Sequence, residues 1–125
     1  MSEFQAENTS GQGPDAVLPS ELRGWNWGAF LLNWVWGLGN QTYISLLMFV
    51  PPATFVMPIV LGVKGNQWAW AHNTWESTEH FRKVQRNWAR VGVAVVTVAP
   101  MIFLLLFLGV NWFIKNSEVY AMSLD

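Results

Sequence analysis

Charge is absent from residues 24–63 and again from residues 91–114, and the segment between them is rich in both charge and tryptophan. Those two blocks set the expected architecture. As a helix, at about 1.5 Å per residue, the second block is roughly 36 Å long and the 42–63 part of the first roughly 33 Å, against a hydrocarbon core of about 30 Å. The fold class expected is therefore all-α, an integral membrane protein with two transmembrane helices at about 42–63 and 91–114. Pro51, Pro52 and Pro58 interrupt the first, and each removes a backbone donor. Ser45 and Thr54 stand near as side-chain partners for the freed carbonyls. A kinked span and a re-entrant hairpin turning at residues 50–53 both fit. Pro100 is expected to bend the second span, with Thr97 three residues before it, and Trp112 and Lys115 mark its interfacial exit.

Residues 25–38 read as a shorter helix of roughly 21 Å, which lies in the interface or enters the bilayer without crossing. At 100° per residue, Asn26, Ala29, Asn33, Gly37 and Asn40 fall on one narrow stripe. Trp25 and Trp36 flank it on one side, Trp27 and Trp34 on the other. Small residues allow close approach and Asn hydrogen-bonds across a contact, so the stripe is a candidate helix-docking seam. Interfacial anchoring, with indoles at headgroup depth and Asn in water, fits the same pattern. Packing against the chain's own spans would satisfy both. Ser20 is the expected cap ahead of this module, with Glu21 beside it, and Gly39-Asn40-Gln41 the expected left-handed end of the helix.

Residues 67–90 read as an amphipathic helix. Trp70, Thr74, Ser77, Phe81, Val84 and Trp88 lie along one line, and His72, Glu76, Glu79, Lys83, Arg86 and Arg90 along the opposite one. Trp70, Phe81 and Trp88 thus join Trp25, Trp27, Trp34 and Trp36 as interfacial or partner-contacting aromatics, and Lys83, Arg86 and Arg90 are candidates for anionic headgroups. Asn73 and Glu76 have the spacing of a capping box, so a helix that restarts after a short break is the alternative.

Composition narrows the chemistry. The chain is 52% hydrophobic and 12% charged, well under the roughly 25% charge of soluble domains. A net charge of -1 and only a local basic cluster give no expectation of a nucleic-acid partner. The absence of cysteine removes disulfides and thiolate chemistry. His72, Glu76 and His80 recur every four residues, but on one helix the first and third stand about 12 Å apart along the axis. One ion cannot bind all three, which leaves a two-ligand contribution to a site completed by another chain as the alternative. No phosphate loop, serine-nucleophile motif or dinucleotide fingerprint is present. Neither uncharged block holds an ionisable group for a proton relay or ion path. No cofactor, metal or catalysis is expected.

Residues 1–22 are polar and are expected to form a disordered tail without a cleavable signal. Residues 23–115 make a single membrane module, and residues 116–125 a short tail. Lys64, Arg82, Lys83, Arg86 and Arg90 assign the central segment, 64–90, to the cytoplasmic side. With two spans both termini face the other side; if residues 25–38 also cross, the N-terminus becomes cytoplasmic.

The runs Gly24-Trp25-Asn26-Trp27-Gly28-Ala29-Phe30, Trp34-Val35-Trp36-Gly37-Leu38-Gly39-Asn40, Leu61-Gly62-Val63-Lys64-Gly65-Asn66-Gln67-Trp68-Ala69-Trp70, Trp75-Glu76-Ser77-Thr78-Glu79-His80-Phe81 and Val84-Gln85-Arg86-Asn87-Trp88-Ala89 resemble a family of small Trp-rich bacterial inner-membrane proteins. That family has no assigned biochemical role. In some of its members a similar module precedes a domain like the cytochrome c oxidase assembly factors, and others are described as ribonucleases. This chain shows no acidic cluster that would hold a nuclease metal. The resemblance, over about residues 24–93, implies a multi-pass protein of the bacterial inner membrane. The expected function is a non-catalytic accessory or scaffold subunit. It docks on a larger membrane complex of respiratory or photosynthetic type, or on a second copy, through the Asn/Gly/Trp seam and the Trp70-Phe81-Trp88 face. The alternative is a lipid-binding surface protein acting through its basic helix.

Overall fold

The computed structural model describes residues 8–125, so the expected tail is covered from Asn8 onward and its first seven residues lie outside the described ones. Helix is the regular structure throughout, and no strand occurs among the described residues. The chain divides into two units, Met1–Val93 and Ala94–Asp125.

In the first unit the expected helix at 25–38 is two helices, α1 (Trp27–Leu32) and α2 (Trp34–Gly39). Asn26 caps α1, its Oδ1 accepting from the Ala29 N–H at 2.9 Å, which satisfies one of the free donors of the first turn. Ser20, the predicted cap, begins a 3-10 turn instead, Ser20–Leu22. The break falls at Asn33, whose φ of 51° lies in the left-handed region that Asn tolerates better than most residues. Asn33 ends α1 and starts α2. The second non-glycine left-handed residue is Gln41, φ 54°, within the predicted Gly39-Asn40-Gln41 turn.

The predicted span at 42–63 is not one helix. Tyr43–Phe49 is a 3-10 segment, the Pro51–Pro52 peptide is cis, and α3 runs Ala53–His72. Two consecutive prolines withhold two backbone donors, and a helix crossing them would lose both bonds. Thr54 Oγ1 donates to the Met48 carbonyl across the break, the role expected of it; the Ser45 hydroxyl is buried without a hydrogen-bond partner among the described residues.

The amphipathic segment is broken as well. α3 ends at His72 and α4 (Thr78–Ser123) begins six residues later. Ser77, rather than Asn73, caps the new helix, its Oγ accepting from the His80 N–H at 3.1 Å. Asn73 turns back, its Nδ2 donating to the carbonyls of Ala69 at 3.0 Å and Asn40 at 2.6 Å. Trp75, in the connection, is buried and its indole donates to the Ala69 carbonyl at 2.9 Å.

Residues 8–11, within the segment read as a tail, hydrogen-bond to this core. Asn8 Nδ2 donates to the Trp75 carbonyl at 2.7 Å, the Trp75 N–H donates to Ser10 Oγ at 2.8 Å, and the Gly11 N–H donates to the Trp70 carbonyl at 2.9 Å. Leu22 is buried in the core with Ala29, Trp36, Leu61, Ala69, Trp70, Trp75 and Phe81. These polar residues supply partners to backbone groups of Trp70 and Trp75 that lie at or beyond the end of α3.

The second unit is the rest of α4 and two residues beyond it, every residue exposed. The helix passes Lys115, where a tail was expected, and continues to Ser123. Among the described residues, α4 is the one helix long and apolar enough to cross a membrane. Two spans are not present in the form predicted.

Candidate functional site

The expected docking seam faces inward. Asn26, Ala29, Gly37 and Asn40 are buried and Asn33 is half-buried, and other parts of the chain occupy the space in front of them. α3 lies so close to α1 that a Cβ on Gly65 would stand 2.9 Å from the Ala29 Cβ and 3.2 Å from that of Asn26. The Asn26 N–H donates to the Gly62 carbonyl at 2.8 Å. Gly37 lies against the Ser45 side chain and the Thr42 carbonyl. The small residues serve close approach, as their spacing suggested, but the approaching elements belong to the same chain.

The centre of this packing is Gln85, on the first turns of α4 and buried. Its Oε1 accepts from Trp36 Nε1 at 2.9 Å and from Asn26 Nδ2 at 2.9 Å, and its Nε2 donates to Asn40 Oδ1 at 2.9 Å. Asn26 Nδ2 also donates to Asn66 Oδ1 at 2.8 Å, and Asn66 Nδ2 to the Leu22 carbonyl at 2.9 Å. Asn40 Nδ2 donates to the Trp36 carbonyl at 2.9 Å. One side chain thus joins α1, α2 and α4. The network is built of amides and an indole, none of which titrates, so it orients and rigidifies rather than moving protons. Sequence reasoning gave no site role to Gln85, Asn66 or Trp75, and gave Asn73 only a capping role. The signal for Gln85 was its place four residues after Phe81, about 40° from it on a helix and so within the apolar stripe.

The aromatic positions separate into two groups. Trp36, Trp70 and Phe81 are buried and Trp88 is half-buried, so the Trp70-Phe81-Trp88 face is turned into the unit. Phe81 meets Trp70 and Trp75 edge to face, at centroid distances of 5.6 and 4.8 Å, the geometry ring quadrupoles favour. The Trp88 backbone lies against Gly28 and its ring over Gly39. Trp25, Trp27 and Trp34 remain exposed. Trp25, Trp27 and Phe30 form a surface cluster with centroids 5.2 to 5.9 Å apart. Tyr43, Phe49, Phe55 and Ile59 extend an apolar surface along the 3-10 segment and α3.

The charged residues of α4 lie on its open side. Lys83, Arg86 and Arg90 are exposed, and of the basic residues only Arg82 makes an ion pair among the described residues, with Glu21 at 3.7 Å. Beside this row is a cleft of about 280 Å³ lined in part by Arg23, Trp25, Trp27, Asn66, Arg82 and Arg86. His72, on α3, shares a 3.3 Å hydrogen bond with Thr42 Oγ1, and Glu76 and His80 lie in the connection and on α4. No group of three or more His, Asp or Glu able to hold a metal occurs among the described residues.

Compared with known proteins, the chain matches no family model, no curated protein and no solved structure.

Proposed function

We propose that this chain is a non-catalytic membrane protein with a single span, whose N-terminal unit lies on the membrane surface and binds anionic lipid headgroups. The observation that carries the reading is the exposed row Lys83, Arg86 and Arg90 on α4, directly ahead of the uncharged run 91–114. A run of that length inserted in a bilayer leaves Arg86 and Arg90 within about 8 Å of its first residue along the helix axis, at headgroup depth. The two surfaces that an accessory subunit would have used, the Asn/Gly seam and the Trp70-Phe81-Trp88 face, support this reading by being occupied from within. The hydrogen bonds of Asn8 and Ser10 to Trp75 count against the two-span form, in which a bilayer would separate groups in contact. Of the seven basic residues, six then precede the span and Lys115 alone follows it, which orients the N-terminal unit to the cytoplasm of a bacterial inner membrane.

Each basic side chain near an anionic surface contributes about 1 kcal/mol, so removing three weakens the association roughly a hundredfold. The full chain in nanodiscs of mixed neutral and anionic lipid is expected to gather anionic lipid at low salt, and the triple variant K83Q/R86Q/R90Q to lose most of that enrichment. Equal lipid composition around both proteins would sink the reading. A second reading, the accessory subunit, draws support from the exposed apolar surface of Tyr43, Phe49, Phe55 and Ile59. Gentle-detergent purification separates the two, because a stoichiometric protein partner supports the subunit and recovery with lipid alone the surface module.

A further inference from the structure

We infer that the cleft between Arg23, Arg82 and Arg86 is a specific site for the phosphate of an anionic phospholipid. The inference rests on the surface reading above and adds a defined site to it. Three guanidinium groups and one carboxylate, that of Glu21, line the cleft, so its walls carry a net positive charge. Glu21 holds Arg82 rather than cancelling the site: Arg82 Nη2 donates to the Glu21 carbonyl at 3.0 Å and lies 3.7 Å from its carboxylate. A guanidinium fixed on one edge keeps its other N–H groups in a planar fork, the geometry that grips phosphate oxygens in pairs. Asn26 and Asn66 are bonded to each other and to Gln85 and Leu22, so they close the floor and leave recognition to the arginines.

Size and surroundings point to a lipid rather than a free anion. At about 280 Å³ the cleft is at the lower limit of small-molecule pockets, roughly 300 Å³, and fits a headgroup but not a whole lipid. A second hollow of about 440 Å³ shares Arg23 and Asn66 with it and is walled partly by Val17, Leu18 and Val63. A charged end and an adjoining apolar wall match an amphiphile. Trp25 and Trp27, exposed at the mouth, are side chains suited to the depth at which headgroup meets acyl chain.

The test uses the full chain in nanodiscs of neutral lipid with a minor fraction of anionic phospholipid, followed by native mass spectrometry after mild delipidation. One anionic phospholipid is expected to stay bound, with about tenfold lower occupancy in R23Q, loss of one bidentate charge-assisted contact being worth roughly that factor. R82Q serves as the second cleft variant, and K64Q, at an exposed lysine outside the cleft and the basic row, is expected to leave the retained lipid in place. Arg23 is exposed and makes no side-chain hydrogen bond or ion pair among the described residues, so R23Q is expected to fold; an unchanged melting temperature checks this. Retention of the lipid in R23Q and R82Q overturns the site while leaving diffuse surface binding intact. Displacement of the lipid by excess inorganic phosphate overturns the assignment to a lipid. No anionic enrichment in the unaltered chain at low salt overturns the surface reading itself.

Discussion

Truncating Gln85 to Ala leaves the Trp36 indole N–H and the Asn40 amide oxygen buried without their partner and removes one of two acceptors from Asn26. A buried group left unpaired costs about 1–3 kcal/mol, so Gln85→Ala is expected to lower stability by about 3 kcal/mol or more, read as a fall in the thermal or denaturant midpoint of the purified protein. The two buried indoles allow a sharper comparison. Trp36 Nε1 donates to Gln85, whereas Trp70 Nε1 is buried with no hydrogen-bond partner among the described residues. Phe replaces a bonded donor in the first case and an unbonded one in the second, so Trp36→Phe is expected to cost about 1–2 kcal/mol more than Trp70→Phe. Equal costs would show that the indole bond to Gln85 adds nothing to the fold. At this scale the sequence exposed which residues are apolar and which side of a helix they share. Gln85 escaped it because a lone amide in an apolar stripe reads as a flank residue until its three partners, from distant parts of the chain, are brought to it.

Helix boundaries show where local pattern and packing part. The hydrophobic spacing of residues 25–38 continues without fault across Asn33, yet the chain turns there through a left-handed residue to bring α2 against the Tyr43–Phe49 segment and α1 against α3. Periodicity is blind to such a corner, because the residues on both sides remain helical. The break between α3 and α4 was legible as an alternative, from the Asn73/Glu76 spacing, but the cap sits at Ser77 because Asn73 is drawn to the carbonyls of Ala69 and Asn40. Two glycines set the contact of α1 with α4, Gly92 against Leu31 and Gly28 against Trp88. A Cβ on Gly28 would lie 2.7 Å from the Trp88 Cβ and 2.9 Å from its carbonyl carbon, and backbone cannot yield as a flexible side chain does. Gly28→Ala is therefore expected to destabilise the protein by about 1–3 kcal/mol, visible in the same unfolding midpoint and as a changed tryptophan emission.

For the whole molecule, the decisive contacts join the ends of the first unit: Asn8 and Ser10 with Trp75, and Gly11 with Trp70. They predict that the N-terminal segment and the 73–77 connection lie on one side of a membrane. The chain has no cysteine, so single variants Gln12→Cys, Glu76→Cys and Ser117→Cys report their sides through an impermeant maleimide. Positions 12 and 76 are expected to label together and position 117 from the opposite face; two spans would instead group 12 with 117.

Composition and run length alone determined the helical class, the poverty in charge, the apolar run 91–114 and the basic cluster ahead of it, because these depend only on which residues are neighbours in sequence. The tertiary structure decided the rest. The 42–63 run divides at Pro51 and Pro52, and Ser10 and Leu22, from the segment read as a tail, are buried against the core. The seam meets its own chain, and the arginines at 23, 82 and 86 line one cleft. All of these join residues tens of positions apart. Burial, close approach and the satisfaction of buried amides select such contacts together, and no local pattern encodes that selection.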